Sequence, residues 1–164
     1  MKNLIVLRHA TAEKSGPDGS DLTRPLAPEG HREALAQGLR LLREDMIPQG
    51  VLTSVAVRAM ETTQELCAAL KEPPPVWALE HLYNASGYEL LTALRETPEN
   101  PDTLLLVAHM PGVAELVYLL LPPGRTPTLN FVPGALAALT VDIAHWKDIA
   151  PGRGQFRDLH LPEP

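Results

Sequence analysis

Four side chains that suit phosphoryl-transfer chemistry follow short apolar segments of the 164-residue chain. Arg8 and His9 come directly after the apolar run of residues 4–7, Arg58 lies shortly beyond a second apolar segment, and His109 ends a third. The planar guanidinium group of an arginine matches the geometry of phosphate oxygens, and a neutral imidazole is a nucleophile that can attack phosphorus. These residue types therefore predict a site for a phosphoryl group.

Each of these side chains also has a simpler interpretation. An arginine at a strand end is commonly a solvated charge, and a histidine there can be a packed residue of the core. Four such residues at strand-to-helix junctions favour a functional interpretation, because parallel strands present their carboxyl ends at one edge of a sheet, where α/β proteins bind ligands. We therefore expect the four to converge, with exposed amides at the starts of the second and fourth helices adding partial positive charge.

The first part of the chain predicts a strand, a loop and a helix that would position Arg8 and His9. Residues 4–7 predict a strand buried on both faces, and residues 11–27, rich in Gly, Ser, Asp and Pro, predict an irregular loop beside its end. A helix is expected to begin at Pro28. Its inward face is expected to be formed by four apolar residues at helical spacing, Leu35, Leu39, Leu42 and Met46.

The next segments predict a second strand and helix, then an edge strand and a third helix. Residues 51–54 are short and apolar enough for a strand, and Arg58 falls in the first turn of the helix that follows. Residues 76–79 follow a run of prolines, which is compatible with an edge strand or a strand start. Ser86 and Glu89 form a capping box for a helix over residues 87–95. The inward faces of these two helices are expected to be Ala59, Thr63, Leu66 and Leu70, and Leu90, Leu91 and Leu94.

The remaining elements complete an alternating order of strands and helices. Residues 103–108 predict a strongly apolar strand that leads to His109, and Pro111 starts a helix over residues 113–121. Further strands are expected over residues 135–141 and 156–160. This order predicts an α/β fold of the three-layer sandwich type, with a mostly parallel central sheet and helices on both faces. We expect a single domain over residues 1–164.

Composition limits the classes of partner. The formal net charge is -6, from 20 acidic and 14 basic residues, so general attraction to nucleic acid or to an anionic membrane is not expected. Cys67 is the only cysteine, which excludes an internal disulfide and indicates a structural residue in a reducing compartment. No apolar run approaches the roughly 20 residues of a membrane span. The expected location is the cytoplasm.

Other common phosphate-handling motifs are missing from the sequence. It has no glycine-rich loop followed by Lys-Ser or Lys-Thr, and no cluster of carboxylates that would hold magnesium. The histidines at positions 9, 31, 81 and 109 lie far apart and form no pair at metal-binding helical spacing. We therefore expect no metal and no cofactor. Without a metal, a neutral His9 is the expected nucleophile, and it would carry the phosphoryl group as a covalent intermediate.

Four short motifs in this order resemble the histidine phosphatase (phosphoglycerate mutase-like) superfamily. They are Arg8-His9-Ala10, Asp21 with Arg24-Pro25-Leu26, Ser54 with Arg58-Ala59 and Thr62 or Thr63, and Val107-Ala108-His109-Met110-Pro111. Within the superfamily, the chain is similar to the SixA-type phosphohistidine phosphatases. That likeness rests on the short chain, on the Asp-x-x-Arg-Pro-Leu segment, and on the stretches Leu82-Tyr83-Asn84-Ala85-Ser86 and Phe131-Val132-Pro133-Gly134-Ala135. The resemblance spans about residues 1–142.

The resemblance implies a role for each residue of the site. His9 would be the phosphorylated nucleophile, and Arg8, Arg58 and His109 would bind the phosphate and stabilise the transferring group. Arg24 would either contact the anion or pair with Asp21 to order the loop. Mutase-like members place a glutamate as general acid after the edge strand, where this chain has Glu80 and His81.

The chain also departs from the family pattern. Ala10 stands where glycine is common, and Ala27 stands where a helix-capping threonine is typical, a loss expected to cost about 1 kcal/mol of stability. The identity of the general acid is open. A weak or absent acid would suit phosphohistidine, because an imidazole leaves more readily than an alkoxide.

The predicted function is removal of a phosphoryl group from phosphohistidine, with a phosphohistidine-containing protein or a small phosphorylated molecule as the partner. A small-molecule phosphomonoesterase of the same superfamily is the enzymatic alternative, and a working Glu80 would favour it. A noncatalytic phosphate- or phosphoprotein-binding module is the alternative from another class, which retention of His9 disfavours. A mutase is disfavoured because so short a chain has little material to enclose and reorient an intermediate.

Overall fold

A six-stranded sheet forms the centre of the computed structural model, which describes residues 1–124 and 126–163. Its strands are β1 (Lys2–Arg8), β2 (Gly50–Ser54), β3 (Val76–Leu79), β4 (Thr103–Ala108), β5 (Leu136–Val141) and β6 (Gly154–His160). In space they follow the order β3-β2-β4-β1-β5-β6. The first four strands are mutually parallel, whereas β5 runs antiparallel to β1 and β6 antiparallel to β5. The mostly parallel sheet is therefore confirmed, with an antiparallel pair at one edge.

Helices cover both faces of this sheet. They are α1 (Pro28–Arg43), α2 (Val57–Ala68), α3 (Gly87–Arg95) and α4 (Gly112–Leu120), with short 3-10 turns at Glu80–Leu82 and Trp146–Asp148. Alternate residues of β1 enter two separate apolar layers: Leu4 and Val6 pack with residues of α3 and α4, and Ile5 and Leu7 pack with residues of α1 and α2. This arrangement confirms the α/β sandwich with helices on both faces. No helix within the described residues is both long and apolar enough to cross a membrane.

The inward face predicted for α1 is wrong for Leu35 and Leu39, whereas Leu42 is half-buried and Met46, just beyond the helix, packs against the core. Leu35 and Leu39 are 38% and 45% exposed, and the residues that α1 buries are Gly30, Ala34, Gln37, Gly38 and Leu41. The reason is close packing, since a Cβ atom on Gly38 would lie 2.3 Å from the carbonyl oxygen of Leu66 in α2. The absence of a side chain at Gly38 permits this approach. Gln37 can be buried beside it because its amide donates to the carbonyl oxygens of Gly134 and His160.

The other helices agree with the expectations. The inward residues predicted for α2 and α3 are all buried, and Ser86 and Glu89 make both hydrogen bonds of the capping box. β3 lies at the edge of the sheet, as expected from the prolines before it. α1 begins at Pro28, and Ala27 provides no side-chain cap.

Candidate active site

Three parallel strands end side by side and deliver the predicted site residues to one edge of the sheet. The register of β1 against β4 pairs Arg8 with Ala108, so that His9 and His109 are the next residues of adjacent strands. The His9 amide donates to the carbonyl oxygen of Ala108 at 3.1 Å, and the two imidazole centroids are 5.1 Å apart. Arg58, in the first turn of α2, donates from Nε to His9 Nε2 at 3.3 Å. The expected convergence of His9, Arg58 and His109 is therefore observed.

The contacts of His9 determine which ring nitrogen carries the proton and which carries the lone pair. Its Nδ1 lies 2.8 Å from the carbonyl oxygen of Ala10, and because a carbonyl only accepts, Nδ1 must carry the proton. Nε2 then holds the lone pair. Burial lowers the pKa of His9 to about 3, and the positive charges of Arg58 and Arg8 act in the same direction. At neutral pH, His9 is therefore a neutral imidazole with a nucleophilic Nε2.

Thr62 links the backbone of the His9 loop to that of α2. Its hydroxyl accepts a hydrogen bond from the Ala10 amide at 3.0 Å and donates to the Arg58 carbonyl oxygen at 2.6 Å, and the residue is fully buried. The motif comparison left the choice between Thr62 and Thr63 open. The structure gives this contact to Thr62, whereas Thr63 donates to the carbonyl oxygen of Ala59 within the helix.

Asp21 fixes the guanidinium group of Arg58. Arg58 is 4% exposed and donates from Nη1 to the Asp21 carbonyl oxygen at 2.7 Å and from Nη2 to Asp21 Oδ2 at 3.0 Å. Hydrogen bonds from the Tyr83 hydroxyl, Arg24 and Arg58 hold the pKa of the Asp21 carboxyl well below its usual range. Asp21 is thus an ionised anchor that orients Arg58 towards His9.

Two atoms of the cluster are buried without a hydrogen-bond partner among the described residues, Arg8 Nε and His109 Nδ1. Arg8 uses Nη1 to donate to the Phe131 carbonyl oxygen at 2.9 Å, but its Nε–H remains unpaired. Leaving a buried polar group unpaired costs about 1–3 kcal/mol. An anion next to these atoms would satisfy the free donor of Arg8 and balance the positive charge of half-buried Arg8 and buried Arg58. The geometry therefore suits a phosphoryl group.

Arg24 lies at the border of the cluster. Its Nε donates to the Glu13 carbonyl oxygen at 2.7 Å and its Nη1 donates to Asp21 Oδ1 at 2.9 Å. Of the two roles left open for Arg24, the pairing with Asp21 is the one observed. Direct contact with an anion stays a prediction.

The structure does not bring Glu80 or His81 into hydrogen-bond contact with the cluster. Both are exposed in the 3-10 turn after β3, and in the described part of the chain neither has a side-chain hydrogen bond to Arg8, His9, Arg58 or His109. A role as general acid stays a prediction for both.

Tyr83 also lies beside the cluster, although the sequence analysis gave it no role in the site. Its ring meets that of His109 edge-on with centroids 5.6 Å apart, its hydroxyl donates to Asp21, and the Arg58 guanidinium carbon lies 6.0 Å from its ring centroid. The hydrogen bond to Asp21 raises the pKa of Tyr83. The available signal was its place in the stretch Leu82-Tyr83-Asn84-Ala85-Ser86, which was used only for the family likeness.

Potential metal ligands are not grouped in this region. Across residues 1–124 and 126–163, no three side chains of His, Cys, Asp or Glu are arranged to hold a metal ion. Cys67 is buried in α2, and burial raises its pKa to about 11, which makes its thiol a poor nucleophile at neutral pH.

Comparison with known proteins identifies relatives of the whole fold. No family model matches the chain. The chain is 30% identical over 141 residues to the phosphohistidine phosphatase SixA of Escherichia coli K12, a match that covers 85% of each protein. It is 32% identical to an uncharacterised protein of Mycobacterium tuberculosis, covering 95% of this chain and 99% of the relative. A solved structure of the protein histidine phosphatase SixA complexed with tungstate superimposes with a TM-score of 0.79 at 28% identity, covering 96% of this chain and 95% of the other.

Proposed function

The chain belongs to the SixA phosphohistidine phosphatases of the histidine phosphatase superfamily, and we propose that it removes the phosphoryl group of phosphohistidine through a covalent intermediate on His9. The observation that carries this mechanism is the neutral His9 with its proton held on Nδ1 by the Ala10 carbonyl oxygen. Nε2 is thereby left as a nucleophile between Arg58 and His109.

The reaction proceeds in two displacements at phosphorus. In the first, the Nε2 lone pair of His9 attacks the phosphorus atom in line and a new N–P bond forms. The N–P bond to the substrate ring breaks with its electron pair, and because the other nitrogen of that ring carries a proton, the ring leaves as neutral imidazole. In the second, a water oxygen attacks the phosphorus of phospho-His9 and the Nε2–P bond breaks with its electron pair on Nε2. The protons of the water stay on the released inorganic phosphate, and His9 is again a neutral imidazole with its proton on Nδ1. Arg8, Arg58 and His109 bind the equatorial oxygens and offset the charge of the transferring group.

Phosphohistidine is a substrate that can be cleaved without a general acid from the enzyme. An alkoxide leaving group needs a proton from the enzyme, whereas a substrate imidazole leaves more readily. Glu80 and His81 are exposed and make no hydrogen bond to the cluster within the described residues, which favours cleavage of a P–N bond over a stable phosphomonoester.

The proposed partner is a protein that carries phosphohistidine. Beyond the chemistry of the phosphoryl group, this proposal follows from the SixA relatives, which are named for their action on phosphohistidine. The proposed compartment is the cytoplasm, and a single buried thiol such as Cys67 is compatible with a reducing environment.

A side-by-side assay tests the proposal. The purified protein is incubated, without added metal, with a phosphohistidine-carrying protein and separately with an aryl phosphomonoester. Samples are quenched in alkaline denaturant, in which phosphohistidine survives, and examined for phosphate on His9. We expect rapid loss of substrate phosphohistidine, labelled His9 and slow ester hydrolysis.

Each of the other outcomes indicates a different function. Rapid ester turnover that is lost in Glu80→Gln would identify a small-molecule phosphomonoesterase with a working acid. No turnover of either substrate, together with binding of inorganic phosphate, would identify a noncatalytic phosphate-binding module.

A further inference from the structure

Ser54 contacts His109 from the side opposite the unpaired ring nitrogen. It is the last residue of β2 and is fully buried. Its Oγ lies 2.8 Å from His109 Nε2 and accepts a hydrogen bond from the Ala56 amide at 3.2 Å. β2 and β4 are neighbouring parallel strands, so this contact joins two of the strand ends that form the site.

The proton of the Ser54 hydroxyl has one acceptor among these partners. A serine hydroxyl provides one donor and two acceptor positions, and the Ala56 amide can only donate. His109 Nε2 is therefore the group to which the hydroxyl proton is directed, which requires a lone pair on Nε2. A neutral imidazole with a lone pair on Nε2 carries its proton on Nδ1.

We propose that Ser54 is a positioning residue that holds His109 in the tautomer with the proton on Nδ1, so that this nitrogen donates a hydrogen bond to the transferring phosphoryl group. This inference rests on the proposed function, because it assigns the donor to the same phosphoryl site. His109 Nδ1 is the buried ring nitrogen that has no partner among the described residues, and it lies in a cluster that contains a second unpaired donor, Arg8 Nε.

The opposite tautomer would make an unfavourable contact at each ring nitrogen of His109. With the proton on Nε2, the Ser54 hydroxyl proton would lose its acceptor inside a buried region, and a lone pair on Nδ1 would face the oxygens of a bound phosphoryl group. Burial lowers the pKa of His109 to about 4, so the ring is neutral at neutral pH and does not donate from both nitrogens. The choice of tautomer therefore decides whether His109 attracts or repels the anion.

The test measures the tautomer directly, in the absence of substrate. Nitrogen-15 chemical shifts of the His109 ring distinguish Nδ1–H from Nε2–H in the wild type, in Ser54→Ala and in Ser54→Thr, which retains a hydroxyl. Thr53→Val is the matched control, because it removes a neighbouring buried hydroxyl that donates to the Ser54 carbonyl oxygen rather than to His109.

We expect the wild type, Ser54→Thr and Thr53→Val to show Nδ1–H, and Ser54→Ala to gain the Nε2–H form. In Ser54→Ala, kcat for phosphohistidine should fall by about 10- to 100-fold, with a smaller change in KM, because a donor to the transition state is lost. An Nε2–H signal in the wild type would overturn the inference, and so would a Ser54→Ala variant with unchanged tautomer and kcat.

The tautomer readout is independent of the substrate assay. If wild-type His109 shows Nδ1–H and Ser54→Ala changes it, but the wild type does not hydrolyse phosphohistidine, the proposed function fails while the control of the tautomer by Ser54 stands. If turnover occurs and the wild-type ring shows Nε2–H, the role of Ser54 fails and the proposed function stands.

Discussion

The two ends of β1 each hold a cation, buried Lys2 at the amino end and half-buried Arg8 at the carboxyl end, and the donors of the two cations are paired differently. At the amino end, Lys2 is 4% exposed, and its ammonium group donates to the carbonyl oxygens of Asn100 and Pro101 at 3.2 and 3.1 Å and to Asp102 Oδ1 at 3.1 Å. An ammonium group has three donors, so every N–H of Lys2 is paired. At the carboxyl end, Arg8 leaves its buried Nε–H without a partner in the described chain.

The difference separates a cation whose donors are all paired within the fold from the cation that we assign to the proposed phosphoryl site. Lys2 stabilises the turn before β4, and the same Pro101 carbonyl oxygen also accepts from the Trp146 indole at 2.8 Å. Its cationic group is complete within the fold. At the opposite end, half-buried Arg8 and buried Arg58 lie in a cluster with two unpaired buried atoms, Arg8 Nε and His109 Nδ1, an arrangement that an added anion would complete. A cation with an unpaired buried donor is therefore the better candidate for a ligand site than a cation whose donors are all paired.

The largest effect that would sharpen this contrast is expected from His9→Ala. Removal of the nucleophile should lower turnover by about 10⁴-fold or more, while binding of inorganic phosphate stays within a few-fold of the wild type because both arginines remain. Single-turnover kinetics and calorimetry with inorganic phosphate measure the two quantities. His145→Ala, at an exposed histidine near the opposite end, is the control. Full activity of His9→Ala would contradict the mechanism.

Arg58→Ala is expected to have the next largest effect, and it should impair both turnover and the binding of inorganic phosphate. It removes the guanidinium group that contacts His9 Nε2 and that Asp21 orients. We expect kcat/KM to fall on the order of 10²- to 10³-fold and phosphate binding to weaken with it. Arg157→Ala, at an exposed arginine of β6, provides the control. Unchanged phosphate affinity in Arg58→Ala would show that this arginine is not part of the anion site.

The pH dependence of stability should come in part from His9 and His109, which follow the carboxyl ends of β1 and β4. Burial lowers the pKa values of His9 and His109 to about 3 and 4, against an ordinary value of 6.5. Between these values the unfolded chain binds more protons than the folded one, so stability should fall as the pH falls from 6.5 towards 4. Denaturant unfolding at several pH values and NMR titration of the two rings measure this. An inflection near 6.5 for either ring would contradict it.

The smallest effect on activity is expected from Lys2→Met. Three acceptors at the amino end would lose their donor, so the free energy of unfolding should fall by about 1–3 kcal/mol. Phosphohistidine turnover at a temperature where the variant is folded should stay unchanged, because Lys2 lies at the opposite end of β1. Lys14→Met, at an exposed lysine, is the stability control. A loss of turnover in folded Lys2→Met would remove the distinction between the two ends.

Local patterns were sufficient for most of the fold. Apolar runs predicted the buried strands, and prolines predicted the start of α1 at Pro28 and the edge position of β3. Hydrogen-bonding residues close in sequence predicted the capping box of α3. The inward face of α1 did not follow, because hydrophobicity selects Leu35 and Leu39. The actual contact depends on how closely Gly38 can approach the backbone of α2.

The sequence by itself determined which residue types stand at the strand ends, and hence the choice of an imidazole nucleophile with arginine ligands. Only the tertiary structure decided their hydrogen bonds, since these join residues on separate elements. Asp21 reaches Arg58 and Tyr83, Thr62 reaches Ala10, and Ser54 reaches His109. Such contacts depend on strand register and on the packing of α2, which bring distant residues within about 3 Å. The proton position on His109 follows from such a long-range contact, whereas that on His9 follows from the carbonyl oxygen of the next residue, Ala10, and burial keeps both rings neutral.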